Sequence, residues 1–238
     1  HSDKPRFSGY RRRTIMREIV LDTETTGLSP KSGDRIVEIG CIEIVNQVAT
    51  GETYHQYINP KRDMPEEAFS IHGLSAEFLS DKPVFADIVD AFLEFVGSAR
   101  FVIHNAEFDM NFLNWELKTL GREPFAIDRA MDTVGLAREK FPGAPASLDA
   151  LCKRFQIDNS NRQLHGALLD ARLLADVYLE LIGGRQRDLS LPDQHTTEEI
   201  EADASKADRP ARFYSASPDE LSAHEAFVKK ISNAVWSQ

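Results

Sequence analysis

The sequence predicts an α/β fold: a mixed five-stranded sheet flanked by helices, followed by a flexible C-terminal tail. Three observations point there. Residues Arg35–Val45 (RIVEIGCIEIV) and Thr53–Ile58 (TYHQYI) alternate with period two, the mark of half-buried strands. From Pro83 onward, apolar residues at helical spacing alternate with short apolar runs. A length of 238 residues accommodates one domain with a sizeable core and something extra. An antiparallel meander followed by alternating helices and strands implies a mixed sheet with helices on its faces.

The elements follow in order. The first strand opens the stretch IVLDTETTGL, Ile19 to Leu28, and turns containing Gly33 and Gly51 join it to the two period-two strands. PVFADIVDAFLEFVG reads as a helix stopping at Gly97, RFVIH as a short buried strand, and AEFDMNFLNWELKTLG as a helix ending at Gly121. Ala126 to Asp132 supplies the fifth strand. SLDALCKRF is a short helix with Ser147 as N-cap, and ALLDARLLADVYLELIGG is the last strong helix, closed by a glycine pair. Residues 1–15 read as a disordered leader or as residues foreign to a natural start at Met16. A folded domain spans 16–184, and an acidic segment without periodicity, 185–212, reads as a flexible linker. Residues 213–238 recover helical spacing, with Ser217 and Glu220 placed as a capping box.

Bulk properties narrow the function. A net charge of −10 argues against broad, nonspecific adhesion to nucleic acid, although not against gripping a few phosphates through metal ions. No apolar run approaches the roughly 20 residues of a membrane helix. Cys41 and Cys152 lie far apart in apolar surroundings and read as buried free thiols, which suits a reducing, cytoplasmic setting.

The chemistry gathers on misplaced charges. Asp22 and Glu24 fall where a strand wants apolar residues, on one face and roughly 7 Å apart by the strand rise. Like charges that close raise each other's pKa unless something positive lies between them. Asp109 shares a helical face with Phe112, Leu113 and Leu117, and Asp170 one with Leu173, Leu174, Val177 and Leu181. Each of these two has a structural reading as a first-turn acid favoured by the helix dipole. Four carboxylates at the ends of separate elements point instead to convergence on hard cations such as Mg²⁺ or Mn²⁺. Two such ions would neutralise the repulsion and clamp both oxygens of an in-line phosphoryl displacement. His165 lies five residues before Asp170, which on one helix would rotate the two about 140° apart. It is therefore expected in the preceding loop, reaching back over the site to take a proton from water. His72 is a candidate for a substrate or backbone contact.

LDTETTG, HNAEFD and LHGALLDA resemble, in order, spacing and flanking residues, the three motifs of the Asp-Glu-Asp-Asp-His exonuclease superfamily. EAFSIHGLSAEFL, FPGAPASLDALCKRFQIDNSNRQLHGALLDA and YLELIGG resemble more specifically its family of epsilon proofreading subunits of bacterial DNA polymerase III. The resemblance covers roughly Met16 to Gly184. It implies an RNase H-like fold and 3′→5′ hydrolysis of single-stranded DNA, removing mispaired nucleotides from a primer end as nucleoside monophosphates. It implies two divalent cations, Mg²⁺ or Mn²⁺, held by Asp22, Glu24, Asp109 and Asp170, with His165 as general base. Thr25 and Glu67 would engage the terminal nucleotide near its 3′-hydroxyl, His72 would line the pocket, and Asp22, Glu24 and Asp170 would also face substrate. Phe108 is either a base-stacking residue or a core residue, and Asp132 is read as a helix-capping acid.

The resemblance also implies a flexible tether to the catalytic (alpha) subunit of DNA polymerase III, a role the linker and terminal helix suit, with Phe227, Ile231 and Trp236 as anchors of a helix laid in a groove. RQRDLSL, Arg185 to Leu191, resembles a sliding-clamp peptide with Gln186, Leu189 and Leu191 as contacts, or is a plain polar linker. An RNA-trimming exonuclease of the same superfamily and a non-catalytic polymerase scaffold are the competing readings. The tail argues against the first, and the presence of all five motif residues against the second.

Overall fold

The computed structural model describes residues 16–162, 164–183 and 217–230. These fall into two units, 16–183 and 217–230. The expected leader over 1–15, the linker over 185–212, the clamp-type contacts Gln186, Leu189 and Leu191, and the anchors Ile231 and Trp236 lie outside the described residues.

In chain order the elements are β1 (Arg17–Thr25), a 3₁₀ turn (Pro30–Ser32), β2 (Ile36–Val45), β3 (Val48–Tyr57), α1 (Glu66–His72), α2 (Ala76–Leu79), α3 (Phe85–Val96), β4 (Arg100–Ile103), α4 (Ala106–Thr119), a 3₁₀ turn (Ile127–Arg129), β5 (Ala130–Asp132), α5 (Thr133–Lys140), α6 (Leu148–Phe155), α7 (Ala167–Leu181) and, in the second unit, α8 (Pro218–Val228). The strand order is β3-β2-β1-β4-β5. β1 to β3 form the antiparallel meander, whereas β4 runs parallel to β1 and β5 parallel to β4. This is the mixed five-stranded sheet expected from the alternation.

One turn differs from expectation. The β2–β3 hairpin turns at Asn46 and Gln47, both with positive φ (51° and 67°), and not at Gly51. Two consecutive left-handed residues twist a two-residue hairpin in the sense its strands need. Gly51 instead lies inside β3 at φ 93°, beside the irregularity that shifts the β2–β3 register between Ile42 and Ile44. A left-handed glycine at a bulge releases the strand from strict pairing. Gly33 (φ 92°) closes the 3₁₀ turn between β1 and β2.

The sheet separates two hydrophobic clusters. Ile19 and Leu21 of β1 join residues of α3 and α4, including Phe92, Phe112, Leu113 and Leu117, on one face. Val20 joins Leu148, Leu151, Leu174 and Val177 of α6 and α7 on the other. Fully burying each such side chain contributes about 1.5–3 kcal/mol before the entropy of ordering it. The period-two alternation of β1 thus dictates which helix each of its residues meets. Both thiols are free and buried, as expected. Among the described residues, no helix is long and apolar enough to cross a membrane.

Candidate active site

β1 pairs with β4 only through Glu18, Ile19 and Val20, opposite Arg100, Phe101 and Val102. Its last residues run past the end of β4 and carry Asp22 and Glu24 into the opening at the carboxyl end of the parallel pair. That is where open α/β sheets place ligands, because chain connections diverge there and leave a crevice.

Two helices begin at this opening, and each places an aspartate in its first turn. Asp109 in α4 is 3% exposed and Asp170 in α7 is 2% exposed. The strand alternation explains how both arrive. α7 lies on the face of Val20, Asp22 and Glu24, and α4 lies on the face of Leu21 and Thr23. Asp109 is held from the α4 side by the Thr23 hydroxyl, which donates to its Oδ1 at 2.7 Å. Asp170 is reached through a close approach: Gly40 stands opposite Asp22, and a Cβ there would sit 2.3 Å from the carbonyl carbon of Ala167 and the nitrogen of Leu168. Only a residue without a side chain lets the start of α7 rest on the sheet at that point.

Electrostatics mark the cluster. Burial, then the charges of Asp109, Glu24 and Asp170, raise Asp22 well above the ordinary carboxylate range. Burial, Asp170 and Glu38 push Glu24 up to about 8. Burial pushes Asp109 up to about 7, opposed by the Thr23 hydrogen bond. Glu38, directly across the strand pair from Glu24, is itself buried and accepts from His55 at 2.7 Å.

The positive group here is one the sequence reading missed. Arg162 grips Asp170 with both arms of its guanidinium, Nε to Oδ1 at 2.6 Å and Nη2 to Oδ2 at 2.7 Å. Its Nη1 donates to Asp149 at 2.8 Å and its Nη2 lies 3.0 Å from Nδ1 of His165. The only signal in the sequence was an arginine three residues ahead of His165, and no periodicity could show that a loop residue turns inward. Thr23 and Gly40 were likewise missed, because a threonine and a glycine in strands are unremarkable without knowledge of what packs on them.

His165 lies in the loop before α7, as its spacing required. Its Nδ1 is 3.2 Å from Asp170 Oδ2, and its backbone N–H donates to Ile71 at 3.0 Å. Potential ligand atoms of Glu24, His165 and Asp170 all lie within 4.8 Å of one another. Asp22 and Asp109 stand outside that tight group but inside its field. A donor set of carboxylate oxygens and one imidazole, without thiolates, suits a hard divalent cation. Four carboxylates facing a single guanidinium leave the negative charge such a cation neutralises.

Thr25, Glu67 and His72 come together beside this cluster. With Glu24, Leu28 and Phe108 they line a cavity of about 560 Å³. The His72 Nδ1 accepts from the Leu74 N–H at 3.0 Å, which leaves its buried Nε2 as the donor, directed toward the Thr25 backbone without a well-formed hydrogen bond. Burial lowers the His72 pKa, opposed by the Thr25 backbone and the charge of Glu38. Phe108 is half-buried between Phe112 and this cavity, so it combines a core contact with a face open to a base. Asp132 caps α5, accepting from Val134 and Gly135, and also accepts from Asn105 and Ala106 at the start of α4. The capping role expected of it stands, and it extends to fixing the helix that carries Asp109. Phe227, the one proposed anchor within the described residues, is 63% exposed on α8, whose Ser217–Glu220 capping box is formed.

Comparison with known proteins places the fold and the chain in a family. The exonuclease (RNase T) family model matches residues 19–178. The chain is 26% identical to Exonuclease X, solved with 5′-overhanging duplex DNA, over 70% of this chain and 91% of that one, with a TM-score of 0.56. The nuclease domain of 3′hExo, a DEDDh family member solved with rAMP, shares the fold at a TM-score of 0.61 and 14% identity, covering 71% of this chain and 93% of that one. The protein is therefore an exonuclease with the RNase H-like fold. The DNA polymerase III subunit epsilon of Rickettsia felis is 51% identical over 222 residues, spanning 91% of this chain and 97% of its own length. That of Escherichia coli is 41% identical over 238 residues, spanning 93% and 98%. The chain belongs to the DNA polymerase III epsilon subunit family.

Proposed function

We propose that Asp22, Glu24, Asp109, Asp170 and His165 form a two-metal centre with which this exonuclease removes mispaired nucleotides, 3′ to 5′, from a DNA primer end. The observation that carries the reading is the convergence of four carboxylates from β1, α4 and α7 beside an open cavity, with a loop histidine against one of them. Mg²⁺ or Mn²⁺, held by Asp22, Glu24, Asp109 and Asp170, would supply Lewis-acid activation of the phosphodiester and of water.

The chain's own groups do the rest. With Nδ1–H donating to Asp170, His165 would have Nε2 available to take the proton of the attacking water, the tautomer in which the Arg162 Nη2 approach to Nδ1 is a packing contact and not a hydrogen bond. Arg162 fixes Asp170 and the imidazole in register, a positioning role. Thr25, Glu67 and His72 line the cavity where the terminal nucleotide would sit, and His72 Nε2–H would donate to its oxygens. Removal of a mispaired end needs no base-reading pocket, since a frayed terminus reaches the cavity more readily.

Hydrolysis of DNA and RNA oligonucleotides with free or blocked 3′ ends, in Mg²⁺, Mn²⁺ or chelator, tests this. Mononucleotide release from free DNA ends, dependent on metal, is expected, and Asp22→Ala should reduce it roughly a thousandfold, the scale of several kcal/mol of lost charge stabilisation. Retained activity in a folded Asp22→Ala protein would refute the centre. Preference for short RNA would move the function to RNA turnover.

The tail reading extends to partners. Residues 213–238, with Phe227, Ile231 and Trp236, would bind the polymerase III alpha subunit across a linker at 185–212, and Gln186, Leu189 and Leu191 would meet the sliding clamp, in the bacterial cytoplasm. Tethering raises effective concentration, so an acidic enzyme need not hold DNA unaided. Deleting 213–238 should spare hydrolysis of short single strands and abolish co-purification with the alpha subunit; continued co-purification removes the tether.

A further inference from the structure

The cavity beside the carboxylates does not end at the terminal nucleotide. Leu28 and Phe108 line it and also wall the adjoining groove of about 620 Å³. Lys31 and Trp115 in turn are shared between that groove and a third of about 330 Å³, which Lys61 and Arg62 also line. Shared lining residues thus place the three in series, with Glu24 lining only the first.

The two outer grooves differ in charge from the first, which Glu24, Asp34 and Glu67 line. The chain carries a net charge of −10, yet among the described residues no aspartate or glutamate lines either of the two outer grooves. Arg62 is held by Asp34 and the Gly33 carbonyl, and the Arg35 guanidinium by Glu116. Lys31, Lys61 and Lys118 have no ion-pair partner among the described residues. Helix α4 supplies the floor: Phe108, Asn111, Trp115 and Lys118 recur at helical spacing along one face, and span about 15 Å at 1.5 Å per residue. The Trp115 side is open to solvent, the residue being 39% exposed.

Unpaired lysines and an exposed aromatic ring along a groove are what an extended single strand binds, through phosphate contacts and base stacking. We propose that this path carries the nucleotides upstream of the scissile bond. Lys31 and Lys118 contact their phosphates, Trp115 stacks on a base, and Lys61 with Arg62 forms the far end. The proposal rests on the exonuclease reading above, and it locates substrate affinity on α4 and the β1–β2 loop, away from the metal centre.

The test compares two substrates on the full chain with Mn²⁺. The p-nitrophenyl ester of thymidine 5′-monophosphate fills only the terminal cavity, whereas a 12-nucleotide single strand also needs the track. Lys31→Glu with Lys118→Glu, and separately Trp115→Ala, should raise KM for the 12-mer about tenfold or more, with kcat and ester hydrolysis within about twofold of wild type. Lys31→Gln with Lys118→Gln, which removes charge without reversing it, should make the salt dependence of 12-mer binding in chelator shallower by about 1.4 in log–log slope. Unchanged 12-mer KM and salt slope in variants that hydrolyse the ester normally overturns the track, and assigns the basic groove to an acidic protein partner instead. Failure of the wild type on both substrates overturns the exonuclease reading, and the track with it. Parallel loss of ester and 12-mer hydrolysis in folded variants also counts against the track, since it shows the groove residues acting on the centre itself.

Discussion

Helices α4 and α7 start at the same end of the sheet and each delivers one aspartate at the same place in its first turn, yet they do so in opposite ways. α4 is pinned without a cation: Asp132 accepts from the N–H groups of Asn105 and Ala106, and Thr23 donates to Asp109. α7 has no side-chain cap at Gly166, and its aspartate is held by a guanidinium from the loop before it. Asp109 is therefore held by a hydroxyl and a capped helix start, and Asp170 by a cation. The difference teaches that one half of the site is built by the sheet and the other by electrostatic balance, in which a divalent ion, once bound, would compete with Arg162 for Asp170.

The broadest way to sharpen that contrast is pH. Asp109 and Glu24 are held near 7 and 8, above the roughly 4 of an unfolded chain. The folded protein thus binds more protons than the unfolded one between those values, so its metal-free stability is fully present below about pH 4 and is lost as pH rises through 7 and 8. Thermal unfolding in chelator should show a midpoint that falls from pH 5 to 8, by more than any single substitution below produces. Excess Mn²⁺ should remove most of the fall, because it binds the ionised carboxylates of the native state alone. A pH-independent midpoint would mean that neither burial nor neighbouring charge holds these carboxyls above their unfolded range.

Arg162→Gln attacks the α7 half directly. Removing one partner of a buried pair, with side chains 8% and 3% exposed, should cost about 3 kcal/mol in the metal-free protein by urea unfolding. The same variant should bind Mn²⁺ more tightly by titration calorimetry, since a competing cation has gone. Weaker Mn²⁺ binding would show that the positioning of Asp170 by Arg162 outweighs its competition with the ion.

Gly40→Ala is the gentlest probe in chemical terms and acts by geometry. A methyl group 2.3 Å from the Ala167 backbone must push α7 off β2, at a cost of about 1–3 kcal/mol. Activity should fall more steeply than stability, because Asp170 moves and Asp109 does not. Equal activity of variant and wild type would show that α7 can shift without disturbing the site.

The pattern of the chain was enough for much of this. Alternation in β2, helical spacing in α3, α4 and α7, and the caps at Ser147 and Ser217 depend on neighbours a few residues away, so they are legible in one dimension. So were Asp22 and Glu24, because a charge inside an apolar strand is conspicuous, and so was His165, because a five-residue offset from Asp170 excludes a shared helix face. The hairpin at Asn46 and Gln47 was hidden by a nearby glycine that looks like the better turn former and proves to serve a bulge. What only the tertiary structure decided lies at long range. Thr23 finds Asp109 across 86 residues, Gly40 admits α7 from more than a hundred residues away, and Arg162 turns inward because four carboxylates are already there. Residue type and local period determine which side chains are out of place; which partner answers them is set by the packing of two helices on opposite faces of one sheet.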